Sequence, residues 1–264
     1  MFTEGRGTTL LLTVLSLGAS LTPAVNAATD ENLSVSIGAE YSSGDYGTSS
    51  ETNIWYFPVT FGYETDVNAF HVTVPYVSVE GTGNVVPGGG GRGMPHGPAS
   101  ASRETESGLG DILLGGSHKI GGTATSRIDL TGEIKFGTAD RDKNLGTGET
   151  DFSLQLDGQK YYSRDTLYGS GGYRILGDPP GIDYNNVFFG YGGWSHRLGD
   201  TSASAGLEYY AQQSAHSGTD GPSELTLFLS NSHDRKTKVT GYLLTGFSDG
   251  SPDWGFGITL KFIR

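Results

Sequence analysis

The chain has 264 residues, 43 of them glycine and none cysteine, with a formal net charge of -12 and a mean hydropathy of -0.30. The missing cysteines exclude a disulfide framework, and the acidic balance argues against a nucleic-acid partner, whose binding needs neutralising Lys and Arg. Beyond the first residues no apolar run reaches the roughly 18 residues of a membrane-spanning helix.

The first element is the exception. Arg6 precedes the apolar stretch Thr8 to Leu21, followed by Pro23 and the small residues Val25 and Ala27. This pattern predicts a signal peptide over residues 1–27 and an exported domain over 28–264. Glu4 and Arg6 cancel, so the mature chain keeps its net charge.

From there on, polar and apolar residues alternate with the period of a β-strand. The pattern predicts strands near Leu33–Ser42, Asn53–Tyr63, Val67–Val79, Gly108–Ile120, Arg127–Gly137 and Thr150–Tyr162. The second half adds Thr166–Leu176, Asn186–Leu198, Thr201–Gln212, Ser223–Asn231, Lys238–Phe247 and Asp253–Phe262. Gly, Asp, Asn, Pro and Ser separate them. Odd-numbered connections are long, including the glycine-rich stretch Glu80 to Glu106, and even-numbered ones are mostly short. Tight turns with both termini at one end, and long loops at the other, mark a transmembrane antiparallel up-and-down β-barrel. The expected fold is therefore all-β with twelve strands, ten or fourteen being the alternatives.

Energy decides which face meets lipid. In Arg127 to Phe136, Arg127, Asp129, Thr131, Glu133 and Lys135 share one face, and Ile128, Leu130, Gly132, Ile134 and Phe136 share the other. A basic residue facing the lipid midplane costs roughly 2–4 kcal/mol, so the charged face must point into the lumen. Asn186–Leu198 and Lys238–Phe247 are ambiguous, because both of their faces carry large apolar residues. Tyr41, Trp55, Tyr76, Phe136, Phe152, Tyr209, Phe247 and Trp254 are expected to form a girdle at the long-loop rim. Tyr63, Phe70, Tyr161, Tyr162 and Phe262 are expected to form one at the other.

The last strand, with Gly257, Leu260 and Phe262 spaced along it, resembles the C-terminal targeting signal of outer-membrane barrels, although Ile263 and Arg264 follow the aromatic residue. Three further stretches, Val74 to Val85, Glu106 to Ile120 and Lys135 to Leu156, resemble a family of proteobacterial outer-membrane barrels described as transporters or MetA-pathway of phenol degradation proteins. The run Ser107-Gly108-Leu109-Gly110-Asp111 and the paired Gly-Thr segments carry the resemblance. It implies passage of small, aromatic or hydrophobic compounds and names no catalytic residue.

The candidate pore-lining residues are Asp111, Arg127, Asp129, Glu133, Lys135, Asp157, Arg174 and Glu208. Asp111 is either a pore-mouth acid or a carboxylate supporting a turn. The others either line an open path or pair across the interior and close it, since twelve strands enclose less space than the 16–18 of porins. The run Gly88 to Gly93 matches a dinucleotide-binding spacing, but no helix follows, so it reads as a flexible surface loop, and the stretch Glu80 to Glu106 around it folds either inward as a constriction or outward as a binding surface. Gly246 to Gly250 matches a nucleophile elbow around Ser248, with His216 or His96 as a remote candidate base for lipid hydrolysis. Asp140, Asp142, Asp178 and Asp183 read as solvated loop acids rather than calcium ligands.

These readings predict a passive channel for small solutes in the outer membrane of a Gram-negative bacterium, with no enzymatic activity, cofactor, metal or energy input. The alternative is a closed barrel with a surface-binding or envelope-structural role in its outer loops. Expected partners are outer-membrane lipid and lipopolysaccharide, the barrel-assembly machinery acting on the C-terminal strand, and a small-molecule solute, with no nucleic acid.

Overall fold

The computed structural model describes residues 32–88, 91–96, 102–234 and 236–264, so the predicted signal peptide lies outside the described residues. In chain order the strands are β1 (Asn32–Gly44), β2 (Thr52–Glu64), β3 (Asn68–Gly81), β4 (Val85–Pro87), β5 (Gly93–Pro95), β6 (Glu104–Leu109) and β7 (Ile112–Thr123). They continue as β8 (Ser126–Phe136), β9 (Asp151–Tyr161), β10 (Asp165–Ile175), β11 (Val187–Arg197), β12 (Ala203–Gln212), β13 (Ser223–Ser232), β14 (Thr237–Gly246) and β15 (Trp254–Ile263).

Among the described residues, thirteen of these strands form one antiparallel sheet in the order β2-β1-β15-β14-β13-β12-β11-β10-β9-β8-β7-β3-β6, and pairing of β2 with β3 closes it. Because β6 and β7 succeed one another along the same neighbour, β3, the closed wall has twelve strands. A closed sheet leaves no open edge, so the backbone groups of every wall strand find partners without water. The remaining pair, β4 and β5, makes a small hairpin inside the long connection between β3 and β6.

The alternation places all twelve wall strands, but the fourth differs from expectation. It starts at Glu104 rather than Gly108 and is interrupted at Gly110 and Asp111. Between the pairs Tyr76↔Leu109 and Thr73↔Leu113, β3 advances three residues while its partner advances four. This β-bulge resets the facing of the strand. Leu109 points outward, 61% exposed, whereas Asp111, which strict alternation would also turn outward, is 7% exposed.

Elsewhere the faces follow the sequence. Ile128 and Leu130 of β8 are exposed and Arg127, Asp129 and Lys135 are buried, while Phe152, Leu154 and Leu156 of β9 form part of the same external apolar band. The two ambiguous strands turn Phe189 and Tyr191 of β11, and Tyr242 and Leu244 of β14, away from the outer surface. Glycine makes room for several of these inward rings. Tyr168 lies across from Gly193, Phe228 from Gly206 and Tyr242 from Gly257. In each case a Cβ on the glycine would collide with the ring, so the ring can lie flat along the wall only because the opposite residue has no side chain.

At the long-loop rim Tyr41 packs its ring 5.0 Å from Trp55, 5.3 Å from Trp254 and 5.5 Å from Phe256, joining β2, β1 and β15 on the outside. Tyr161 departs from the expected girdle at the other end. It shares the inward face of β9, and its hydroxyl donates to Gln159 Oε1 at 2.6 Å. Short turns there are held locally, as where Asp234 accepts the amides of Lys236 and Thr237 at 2.7 and 2.6 Å. Those amide bonds, that of Lys236 first, hold the Asp234 carboxyl below the usual aspartate value.

Candidate functional site: a charged lumen and its plugged mouth

The inward residues of β8 and β9 assemble a continuous polar surface. Arg127 Nε donates to both carboxylate oxygens of Asp129 at 2.8 Å, and its Nη1 reaches the Asp66 carbonyl at 3.0 Å, tying the pair to a short turn. Asp157 accepts from Thr131 Oγ1 at 2.6 Å, Gln155 Nε2 at 2.8 Å and the Tyr191 hydroxyl at 2.9 Å. Glu133 lies 3.5 Å from Nε2 of the buried His71. Arg174 donates to Gln212 at 3.1 Å and lies over the Phe189 ring. Glu208 is 3% exposed, and its Oε2 has no hydrogen-bond partner among the described residues.

Asp111 is buried and holds two partners. Its Oδ2 receives Lys135 Nζ at 2.9 Å, and its Oδ1 accepts the Ala139 amide at 2.9 Å. Lys135 also lies 3.3 Å from Asp151 and donates to Thr147 Oγ1 and the Glu149 carbonyl, both at 3.0 Å. One buried ammonium thus binds two carboxylates from the wall and the backbone of the connection between β8 and β9.

That connection belongs to an apolar plug. Tyr46, Val85, Ala139 and Leu145, from three different loops, pack on the inward side chains Ile54, Tyr56, Val77 and Val79. The β4–β5 hairpin lies within this mouth and extends Arg92 into the lumen. Arg92 Nε donates to both oxygens of Glu224 at 3.1 and 3.3 Å, and its guanidinium carbon sits 3.8 Å from the centre of the Tyr210 ring. A small cleft adjoins it, lined among others by Glu40, Tyr56, Glu224 and Tyr242. Of the two courses open to the glycine-rich stretch, its described part takes the inward one. Nearby, the Tyr184 hydroxyl lies 3.3 Å from His96 Nδ1. Burial, and then the charge of Arg141, push the His96 imidazole below the ordinary histidine value, and burial pushes the Tyr184 phenol up to about 12.

Sequence reasoning passed over Arg92, Glu224 and Glu40. A signal for the first was available, since Arg92 is the one formally charged residue between Glu80 and Arg103. The hydrolase candidates are not brought together. Ser248 Oγ donates to the Gly221 carbonyl at 2.8 Å and lies 3.1 Å from Ser251 Oγ, while His96 faces Tyr184. Asp140 accepts the Asp142 amide and Asp178 the Tyr184 amide, and among the described residues no three acidic or histidine side chains converge as a metal site.

A closed antiparallel wall with an apolar outside and a charged inside defines the class: a transmembrane β-barrel. The chain belongs to the family described as "Putative MetA-pathway of phenol degradation", which matches residues 26–261. Among curated proteins none matches the sequence. Similar solved structures include an outer membrane channel from Pseudomonas putida F1, with a TM-score of 0.61 at 16% identity, covering 96% of this chain and 99% of that one. The KdgM porin gives 0.52 at 9% identity over 87% and 98% of the two chains. The β domain of the Bordetella autotransporter BrkA gives 0.51 at 10% over 89% and 99%. At these identities the likeness establishes the fold, which channels and an autotransporter share.

Proposed function

We propose that this protein is an outer-membrane channel that passes small solutes by diffusion along a mixed-charge lumen, gated by its own inward-folded loops. The observation that carries this reading is the interior itself. A barrel serving only as a membrane anchor has no need to carry Arg127, Asp129, Lys135, Asp157, Arg174 and Glu208 on its inner face, where each ion must be paired or hydrogen-bonded to be tolerated. The similar Pseudomonas channel and KdgM porin add support by analogy. In this reading Asp111, Glu133 and those six residues line the path, residues 1–27 direct export, β15 is presented to the assembly machinery, and the apolar band meets outer-membrane lipid and lipopolysaccharide. Inward packing of the β3–β6 connection favours a constriction over an external binding surface. Passive permeation requires no catalytic residue.

The test is single-channel recording of the refolded mature protein in planar bilayers, beside a variant lacking residues 82–102. Small or rare openings in the full chain and several-fold larger steady conductance in the deletion are expected. Silence from both, with folding verified by heat-modifiable migration, refutes permeation.

A further inference from the structure

Arg92 reaches its partners from a hairpin in a connection, whereas Glu224, Tyr210, Glu40 and Tyr242 belong to the wall. The wall residues compose an arrangement of their own. Glu224 is 1% exposed and offers both oxygens to one planar cation, and the Tyr210 ring supplies a face for that cation to stack on. Glu40, held by the Tyr242 hydroxyl at 2.8 Å, and Glu208, two residues from Tyr210 on the same inward face, both lie within electrostatic reach of the guanidinium. One carboxylate therefore grips the positive charge directly and two further acidic side chains lie in its vicinity, beside a small cleft walled by Tyr56 and Tyr242. Carboxylate forks and aromatic faces are the groups that select a guanidinium or ammonium from water.

We infer that the wall site of Glu40, Glu208, Tyr210, Glu224 and Tyr242 is a binding subsite for small organic cations, and that Arg92 occupies it as a tethered stand-in for the solute. The subsite deepens the channel reading and rests on it. A guanidinium- or amine-bearing solute arriving from the long-loop side competes with Arg92 for Glu224 and Tyr210. Displacement frees the hairpin from the wall, so solute recognition and release of the constriction are one exchange. A neutral or anionic solute of the same size has no such lever.

The experiment uses benzylguanidinium as the probe and benzoate as the size-matched control, with the mature protein in detergent. Calorimetric titration compares the wild type, Arg92→Gln and the double variant Arg92→Gln/Glu224→Gln. Arg92→Gln vacates the site and should bind the probe at least about tenfold more tightly than the wild type, as expected when a charge-assisted pair no longer has to be displaced. The double variant should lose that gain, and benzoate should bind none of the three. Equal affinities in the two variants, or equal binding of benzoate, overturns the proposal and leaves Arg92 as a structural latch. Should Arg92→Gln fail to fold, the wild type provides the second readout: millimolar benzylguanidinium, and not benzoate, should accelerate proteolysis of the β4–β5 hairpin, and no acceleration overturns the proposal. Planar bilayers separate the two ideas. Cation binding with no conductance in any variant refutes permeation and keeps the subsite, whereas conductance without cation binding refutes the subsite and keeps permeation.

Discussion

Replacing Lys135 with methionine should destabilise the barrel far more than replacing Asp111 with asparagine, although the two side chains are hydrogen-bonded partners. Lys135 is 3% exposed, with Asp111 at 2.9 Å and Asp151 at 3.3 Å. Removing the ammonium strands two buried carboxylates facing each other, and breaking a buried pair from one side costs about 3–5 kcal/mol. Lys135→Met also loses the donors to Thr147 and Glu149, which anchor the β8–β9 connection. Asp111→Asn keeps one acceptor where the carboxylate had two, so its amide oxygen can serve Ala139 or Lys135 but not both, while Lys135 and Asp151 remain as a neutral pair. Its expected cost is about 1–2 kcal/mol, that of one lost hydrogen bond with the ion pair kept. Equilibrium guanidinium unfolding from lipid vesicles, read by tryptophan fluorescence and by heat-modifiable migration, measures both. Equal losses in the two variants, or a loss below about 1 kcal/mol for Lys135→Met, refute the argument that this ammonium neutralises the cluster.

The lipid face should be equally asymmetric: Leu156→Arg, at the centre of β9 and 52% exposed, should cost roughly 2–4 kcal/mol in the same unfolding assay, and Gln155→Arg on the opposite face much less. Gly193→Ala should cost about 1–3 kcal/mol by driving a Cβ into the Tyr168 ring, and the double variant with Tyr168→Ala should recover part of that loss. The mouth should respond to acid. Because the folded state holds His96 below its ordinary value, its contribution to mouth stability is present above the unfolded histidine value near 6.5 and is lost as pH falls through the depressed folded one. Hydrogen-exchange protection factors around His96 and Tyr184, corrected for the intrinsic slowing of amide exchange in acid, should therefore fall on acidification, and His96→Gln should abolish the dependence. Protection factors unchanged between pH 7 and pH 4 in the wild type contradict the assignment.

Alternation made the wall legible because a strand between lipid and a polar interior has only two environments and the side chains report both. Arg127 to Phe136 is the plainest case. The reading lost resolution at β11 and β14, where Phe189, Tyr191, Tyr242 and Leu244 bring apolar surface to the inner face. Those strands belong to the half of the lumen occupied by inward rings lying on glycines and by the Arg92 hairpin, so their inner surface is not purely aqueous. Asp111 was ambiguous for a different reason. Its facing depends on one extra residue in the register, and a bulge at Gly110 leaves no mark in the polar and apolar pattern. Arg92 was hidden by its neighbours, since a glycine-rich run is compatible with many backbone paths and its destination is set by Glu224, more than a hundred residues later.

The seam between the two ends of the chain has its own implication for how the molecule comes together and how it fails. Pairing of β1 with β15 joins the most distant segments of the sequence, so it carries the largest loop-closure entropy of any neighbour pair in the wall. The other wall contacts form between strands adjacent in the chain, and the seam is therefore the natural last step. The packed rings of Tyr41, Trp55, Trp254 and Phe256 straddle that junction like a clasp. Losing β15 would not merely shorten the sheet. It would expose the unpaired backbone of β1 and β14 together, giving the truncated chain two sticky borders and a ready route to polymerising with its own copies.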